Sequence, residues 1–136
     1  MTMYGREDAE WEQLIEAGLA FLIERARMKR VTSYTELNST LVRRTGLRGF
    51  DFEREDERAA MGYLLGLIVD RTYPITGLMI SGLVHYLNAN DAGSGFYVLA
   101  VRLGKLRRGA DKDEFWVREL NDLYDHYAAA GPGPVK

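Results

Sequence analysis

The chain has 136 residues, a length typical of one globular domain, and it contains no cysteine. The lack of cysteine excludes disulfide bridges, thiolate zinc sites and cysteine nucleophiles, and it is typical of a reducing compartment. A formal net charge of −2 argues against a strongly basic protein that coats DNA. Because the sequence has no run of about 20 apolar residues and no basic, apolar leader, we expect a cytoplasmic protein that does not bind membranes.

Two helices are predicted in the first third of the chain. Apolar residues recur at helical spacing over residues 7–28, which predicts a long first helix. A capping box, in which Ser33 stands three residues before Glu36, marks the start of the second helix. This helix is expected to end near Gly46, since glycine readily takes the left-handed conformation that follows a helix.

A third helix is predicted over residues 52–70, and the acids of residues 51–57 precede or enter its first turn. These acids resemble a metal site, but the helix dipole also favours acids at this position, which is the interpretation we prefer. Gly62 and Gly66 lie one turn apart in this helix, where each glycine costs roughly 1 kcal/mol relative to alanine. We therefore expect another part of the backbone to pack closely against this edge of the helix.

The second half of the chain is expected to contain one strand and two further helices. After a turn at residues 72–77, the apolar run at residues 78–87 is the best strand candidate, although so short a run does not exclude a helix. Helices are predicted over residues 95–106 and from Asp111 onward. The predicted fold is therefore α+β, mostly α, with about five helices and a small β element near residues 78–87. We expect it to form a single globular domain over residues 1–130, and we expect the Gly-Pro tail at residues 131–136 to be disordered.

Few residues offer catalytic or metal-binding chemistry. Two distant histidines without cysteine do not supply the three or four ligands of a zinc site. We interpret His85 as a hydrogen-bonded structural residue; the alternative is a general base acting with Asp91 or Tyr86. Ser81 lacks the G-x-S-x-G turn of a serine nucleophile. We therefore predict no catalytic residue, no metal and no cofactor, and a small enzyme is the least favoured hypothesis.

Basic residues are concentrated between positions 25 and 48. Seven of them accompany a single acid there, and we call these seven the basic segment: Arg25, Arg27, Lys29, Arg30, Arg43, Arg44 and Arg48. Arginine and lysine contact nucleic-acid phosphates, so the segment is a candidate nucleic-acid-binding face. The alternative is a solvated surface whose charges pair with nearby acids, including those of residues 51–57. A second basic cluster follows later in the chain: Arg102, Lys105, Arg107 and Arg108.

Three short pieces of the sequence resemble the winged-helix domain of DNA alkyltransferases and alkyltransferase-like proteins. They are Val31-Thr-Ser-Tyr-Thr-Glu-Leu37, Arg58-Ala-Ala-Met-Gly62 and the glycine-containing turn Asp91-Ala-Gly-Ser-Gly-Phe96, with an apolar strand-like run before the turn. In that family, a helix with a V-x-S/T-Y-x-x-L pattern packs beside a recognition helix with an R-A-x-G pattern. The resemblance covers residues 31–97.

This resemblance implies a winged-helix topology and DNA binding. It would place three residues of the third helix against DNA: Arg58, Ala59 and Tyr63. The family's reactive Pro-Cys-His-Arg stretch would fall near residues 78–85, where this chain has no cysteine, so alkyl transfer is excluded. The acidic insert between residues 44 and 57 also separates the two helices more than the family pattern does, and its charge would repel phosphate.

Two non-enzymatic functions remain. The first is a nucleic-acid-binding module that uses the basic segment, and it requires these side chains to be unpaired and to point together into solvent. The second is a protein–protein interaction module, either a homodimer or a subunit of a larger assembly. Its support is the aromatic content of eight Tyr, five Phe and two Trp, because aromatic residues are enriched at interfaces.

Overall fold

A computed structural model describes residues 2–85 and 94–129 of the chain. The elements in these ranges, in chain order, are β1 (Thr2–Met3), β2 (Arg6–Glu7), α1 (Asp8–Arg27), β3 (Thr32–Ser33), α2 (Tyr34–Thr45), α3 (Glu55–Thr76), a 3-10 helix (Ile80–Leu83), β4 (Val84–His85), α4 (Ser94–Arg102) and α5 (Lys112–Ala129). The predicted fold class, mostly helical α+β with five helices and a small β element, is confirmed. The predicted tail at residues 131–136 lies outside the described residues.

The strands of the described chain form two short ladders. β1 pairs with β2 in antiparallel orientation, and β3 pairs with β4 in parallel orientation, with Thr32 opposite Val84 and Ser33 opposite His85. The second ladder joins the start of α2 to the end of the 3-10 helix. It therefore holds the 3-10 helix at the centre of the fold, between α2 and the helices that follow.

The predicted strand over residues 78–87 is wrong for most of its length. Residues 80–83 form the 3-10 helix, and only Val84 and His85 pair as a strand, while residues 86 and 87 lie outside the described part. All four residues of the 3-10 helix are buried. A segment that is apolar on every side lacks the alternation of a half-buried strand, so its pattern does not separate the two structures.

Local capping signals set the predicted boundaries of α2 and α5. The Ser33 hydroxyl accepts a hydrogen bond from the Glu36 amide at 3.0 Å, and Gly46 has a left-handed φ of 73° at the end of α2. The Glu36 carboxylate accepts from the Thr32 hydroxyl at 2.6 Å. At the start of α5, Asp111 accepts from the Glu114 amide at 3.0 Å.

α3 is longer than predicted, because it continues through the expected turn at residues 72–77. Pro74 lies inside its last turns, and the helix ends at Gly77, whose φ is 69°. The last turn still closes beyond the proline, because the Gly77 amide donates to the Tyr73 carbonyl at 2.8 Å and the Thr76 hydroxyl donates to the Thr72 carbonyl at 3.0 Å. α4 is shorter than predicted: it ends at Arg102, and the chain turns at the positive φ of Gly104.

Two clusters of buried apolar side chains hold these elements together. The larger cluster combines residues of α1, α2, α3, the 3-10 helix and α5. The smaller cluster lies between the C-terminal half of α3, α4 and the start of α5. α1 and α3 approach closely at Gly18, where a Cβ atom would lie 2.9 Å from Ile68 Cδ1.

Within residues 2–85 and 94–129, no helix combines the length and the apolar character that crossing a bilayer requires.

Candidate functional site

The structure divides the basic segment into paired and unpaired side chains. Three members form ion pairs with carboxylates: Arg25 with Glu36, Arg44 with Glu24, and Arg48 with Glu57. The other four are exposed and form no ion pair with any residue that the structure describes: Arg27, Lys29, Arg30 and Arg43. The basic segment is therefore not one uniform cationic face.

Two of the paired arginines hold α2 against α1. Arg44 makes a bidentate contact with Glu24, at 2.8 and 3.0 Å, and this hydrogen bonding lowers the pKa of the Glu24 carboxyl below its ordinary value. The guanidinium groups of Arg25 and Arg44 both lie over the ring of Phe21, at 5.2 and 5.5 Å from its centre. These charges join two helices and cover an aromatic ring.

The third paired arginine belongs to a clasp at the N-terminus. Arg48 contacts the buried carboxylate of Glu57 at 3.2 Å and donates to the Tyr4 carbonyl at 3.2 Å. Arg6, which is 1% exposed, donates to the Arg48 carbonyl at 3.0 Å and lies 4.3 Å from the centre of the Phe50 ring. Its position near the N-terminus gave no sign of burial in the sequence. Glu57, from the acidic run, is a counter-ion in this clasp.

The four unpaired members lie on different elements. Arg27 ends α1, and Lys29 and Arg30 follow after Met28 in the connection to β3. Arg43 lies in the last turn of α2. Three of the four therefore lie close together at the C-terminal end of α1, because they are near neighbours in the sequence.

The described residues give no further support to a metal site or to a catalytic site. In the ranges that the structure describes, no group of three or more His, Asp or Glu side chains is arranged to hold a metal ion. His85 is half-buried in β4, beside Ser33 of β3. Tyr86 and Asp91, its proposed catalytic partners, lie outside the described residues.

An open cavity of about 280 Å³ lies between α3 and α4, beside the 3-10 helix. We call it the α3–α4 groove, and its principal lining residues are Gly62, Leu65, Gly66, Ser81, Phe96 and Arg102. Tyr34 of α2 contributes to one wall. A second, shallower depression of about 490 Å³ shares Val98 and Arg102 with the groove and extends to Arg108. The two together form an elongated surface along α4.

The backbone of α3 forms one side of the α3–α4 groove. A Cβ atom added at Gly62 or at Gly66 would meet no atom of the described chain within 4 Å. No described residue therefore makes the close approach that these two glycines predict. They face the groove, so two glycines that cost roughly 1 kcal/mol each leave the helix backbone open on this side.

Ser81 adds a polar residue to the lining of the groove. The residue is 5% exposed, and its side chain makes no hydrogen bond with any other described residue. The 3-10 helix that carries it is held on both sides: Trp116 Nε1 donates to the Gly82 carbonyl at 2.7 Å, and the Met79 amide donates to Glu119 at 2.8 Å. Ser81 is therefore a fixed polar group on an otherwise largely apolar wall.

The groove ends at an unpaired cation. Arg102 is exposed in the last turn of α4 and forms no ion pair with the residues that the structure describes. Lys105, from the same basic cluster, contacts the buried carboxylate of Glu119 at 2.7 Å and donates to the Gly77 carbonyl at 2.6 Å. The second basic cluster thus divides between a structural lysine and free arginines at the groove.

No protein-family model, no curated protein and no solved structure matches this chain. The resemblance to the winged-helix domain of DNA alkyltransferases therefore stays a prediction.

Three of the groove residues carry a signal in the sequence. The spacing of Gly62 and Gly66 indicates a helix edge that another backbone approaches, but the pattern does not say whether that backbone belongs to this chain or to a partner. Arg102 stands out only as part of a charge cluster. The sequence does not indicate that Lys105 pairs with Glu119 while Arg102 has no partner among the described residues.

Proposed function

We propose that this chain is a non-enzymatic interaction module that binds a segment of a partner protein in the α3–α4 groove. The observation that carries the proposal is the open helix face at Gly62 and Gly66, which no described residue of the chain covers. Glycines inside a helix disfavour folding, and here they accommodate no packing contact within the described chain. Close approach of a partner to the α3 backbone gives them a role.

The shape of the groove favours a peptide segment over a compact small molecule. The cavity is open, and it continues into the second depression along α4 instead of closing around a compact ligand. Val98, on the shared rim, is 58% exposed. An apolar centre with a polar, charged rim is the usual composition of a protein–protein interface.

The lining residues favour binding over catalysis. A serine nucleophile requires a general base within hydrogen-bond reach. None of the described lining residues of the groove is a histidine, an aspartate or a glutamate. Ser81 therefore has no described partner that would remove its proton, and its hydroxyl is suited to hydrogen bonding with a bound segment.

A random-peptide display selection on the immobilised chain tests this function. Gly62→Leu and Gly66→Leu each place a side chain in the groove, and Ala20→Leu adds a leucine side chain on an exposed part of α1 that does not line the groove. We expect the wild type and Ala20→Leu to enrich the same peptides and the two glycine variants to lose them. Failure to enrich any peptide, or equal binding by all four proteins, would refute the proposal.

Nucleic-acid binding is the second candidate. It is favoured by three exposed cations close together at the end of α1, none of which forms an ion pair with a described residue: Arg27, Lys29 and Arg30. We place it second because cations at a helix C-terminus also complement the helix dipole and need no ligand for that role. Three members of the basic segment are, in addition, neutralised by carboxylates.

A further inference from the structure

We propose that the segment bound in the α3–α4 groove is an acidic peptide, in which an apolar side chain lies next to an aspartate or glutamate. This inference rests on the proposed function and adds the chemistry of the ligand. It follows from three features of the groove that act on different parts of a peptide: the apolar wall, the hydroxyl of Ser81 and the guanidinium of Arg102.

The wall of the groove selects an apolar side chain. Leu65 and Phe96 present apolar surface on opposite sides, from α3 and α4. Between them, Gly62 and Gly66 leave room above the α3 backbone. An apolar side chain placed there loses its contact with water and reaches the helix backbone closely, which favours binding.

The hydroxyl of Ser81 offers the ligand a hydrogen-bonding group. It makes no hydrogen bond with another described residue, and a peptide backbone supplies both donors and acceptors. Because Trp116 and Glu119 hold the 3-10 helix, the backbone that carries this side chain is in place before the ligand arrives.

Arg102 selects the carboxylate. Other arginines of the described chain are engaged by acids of their own fold: Arg25, Arg44, Arg48, Arg54, Arg71 and Arg118. Arg102, like Arg27, Arg30 and Arg43, has no such partner among the described residues, and it is the one of these four that lines the groove. A guanidinium can form two parallel hydrogen bonds with a carboxylate, so an acid beside the apolar anchor complements it. Arg108, in the adjoining depression, extends the positive charge along α4.

The peptides enriched by the wild-type chain test the inference directly. We expect these peptides to contain aspartate or glutamate next to an apolar residue more often than the starting library does. For one enriched peptide with a fluorescent label, fluorescence anisotropy measures the Kd with the wild type, Arg102→Gln and the matched control Arg107→Gln. Arg107 is exposed in the same cluster but does not line the groove.

We expect Arg102→Gln to weaken binding about tenfold, as loss of a charge-assisted hydrogen bond predicts, and Arg107→Gln to leave the Kd unchanged. Replacing the peptide's acid by its amide should weaken binding to the wild type by a similar factor and have no further effect on Arg102→Gln. Enriched peptides that show no preference for acidic residues, but that Gly62→Leu and Gly66→Leu fail to bind, would overturn this inference and leave the proposed function standing. Enriched peptides rich in lysine and arginine would overturn it too, and the absence of any enriched peptide would overturn both proposals.

Discussion

Replacing Gly62 and Gly66 by alanine should raise the free energy of unfolding of the chain. A Cβ atom at either position would meet no described atom within 4 Å, and both residues lie in the middle of α3. The change therefore brings the full difference in helix propensity, roughly 0.8–1.0 kcal/mol per site, without any clash. We expect the double variant to raise the free energy of unfolding by about 1.5–2 kcal/mol.

Gly82→Ala provides the contrasting result. A Cβ atom at this position would lie 2.9 Å from the ring of Phe96, which is itself buried. A rigid ring in a packed environment does not move aside at low cost, so we expect a loss of about 1–3 kcal/mol.

Urea unfolding at 25 °C, followed by far-ultraviolet circular dichroism, measures both effects. The slope of the free energy with urea should be unchanged, so that the midpoint alone reports stability. A lower unfolding free energy in the Gly62→Ala/Gly66→Ala double variant would refute the reasoning. It would show that a part of the chain packs on this face of α3 and that the groove is not open.

Three further results are expected. If the second candidate function holds, the wild type should retard duplex DNA in an electrophoretic shift assay at low salt. The triple variant Arg27→Ala/Lys29→Ala/Arg30→Ala should reduce the slope of log Kd against log salt concentration by about 3, one unit for each lost phosphate contact. No shift at micromolar protein would end that candidate. Glu119→Ala should destabilise the chain by about 3–5 kcal/mol in urea unfolding, because it leaves Lys105 without its carboxylate and the Met79 amide without its acceptor; a loss below about 1 kcal/mol would contradict this. Because Arg44 lowers the pKa of Glu24 in the folded state, this pair should contribute stability above the ordinary glutamate pKa and lose it as the pH falls through the lowered value. The acid-side loss of stability should be smaller in Arg44→Gln, by less than about 1 kcal/mol since the pair is largely exposed, and an identical pH profile would contradict the assignment.

The helices could be predicted where their boundaries depend on neighbouring residues. The cap of α2 at Ser33 and its end at Gly46 are made by contacts within a few positions, and such contacts follow a sequence pattern. The end of α3 could not be predicted in this way. Pro74 is a local signal to stop, but it stands in the last turn of the helix, where the Gly77 amide and the Thr76 hydroxyl still donate to the carbonyls of Tyr73 and Thr72.

The candidate site could be predicted only in part, because it depends on contacts between distant residues. Arg44 is paired with an acid 20 positions away, so no local pattern shows that its charge is unavailable. The opposite holds for Arg102, whose lack of a described partner is visible only after folding. Gly62 and Gly66 were visible as an unusual pair, but their spacing alone does not distinguish a contact within the fold from one with a partner.

Amide chemical-shift mapping tests the central claim most directly. A peptide enriched by the wild type is titrated into the isotope-labelled chain while the backbone amide signals are followed. If the peptide binds in the α3–α4 groove, the largest chemical-shift changes should occur at the amides of Gly62, Gly66, Ser81 and Arg102, and Gly66→Leu should remove these changes. Shifts confined to the end of α1 around Lys29, with none on α3, would contradict it.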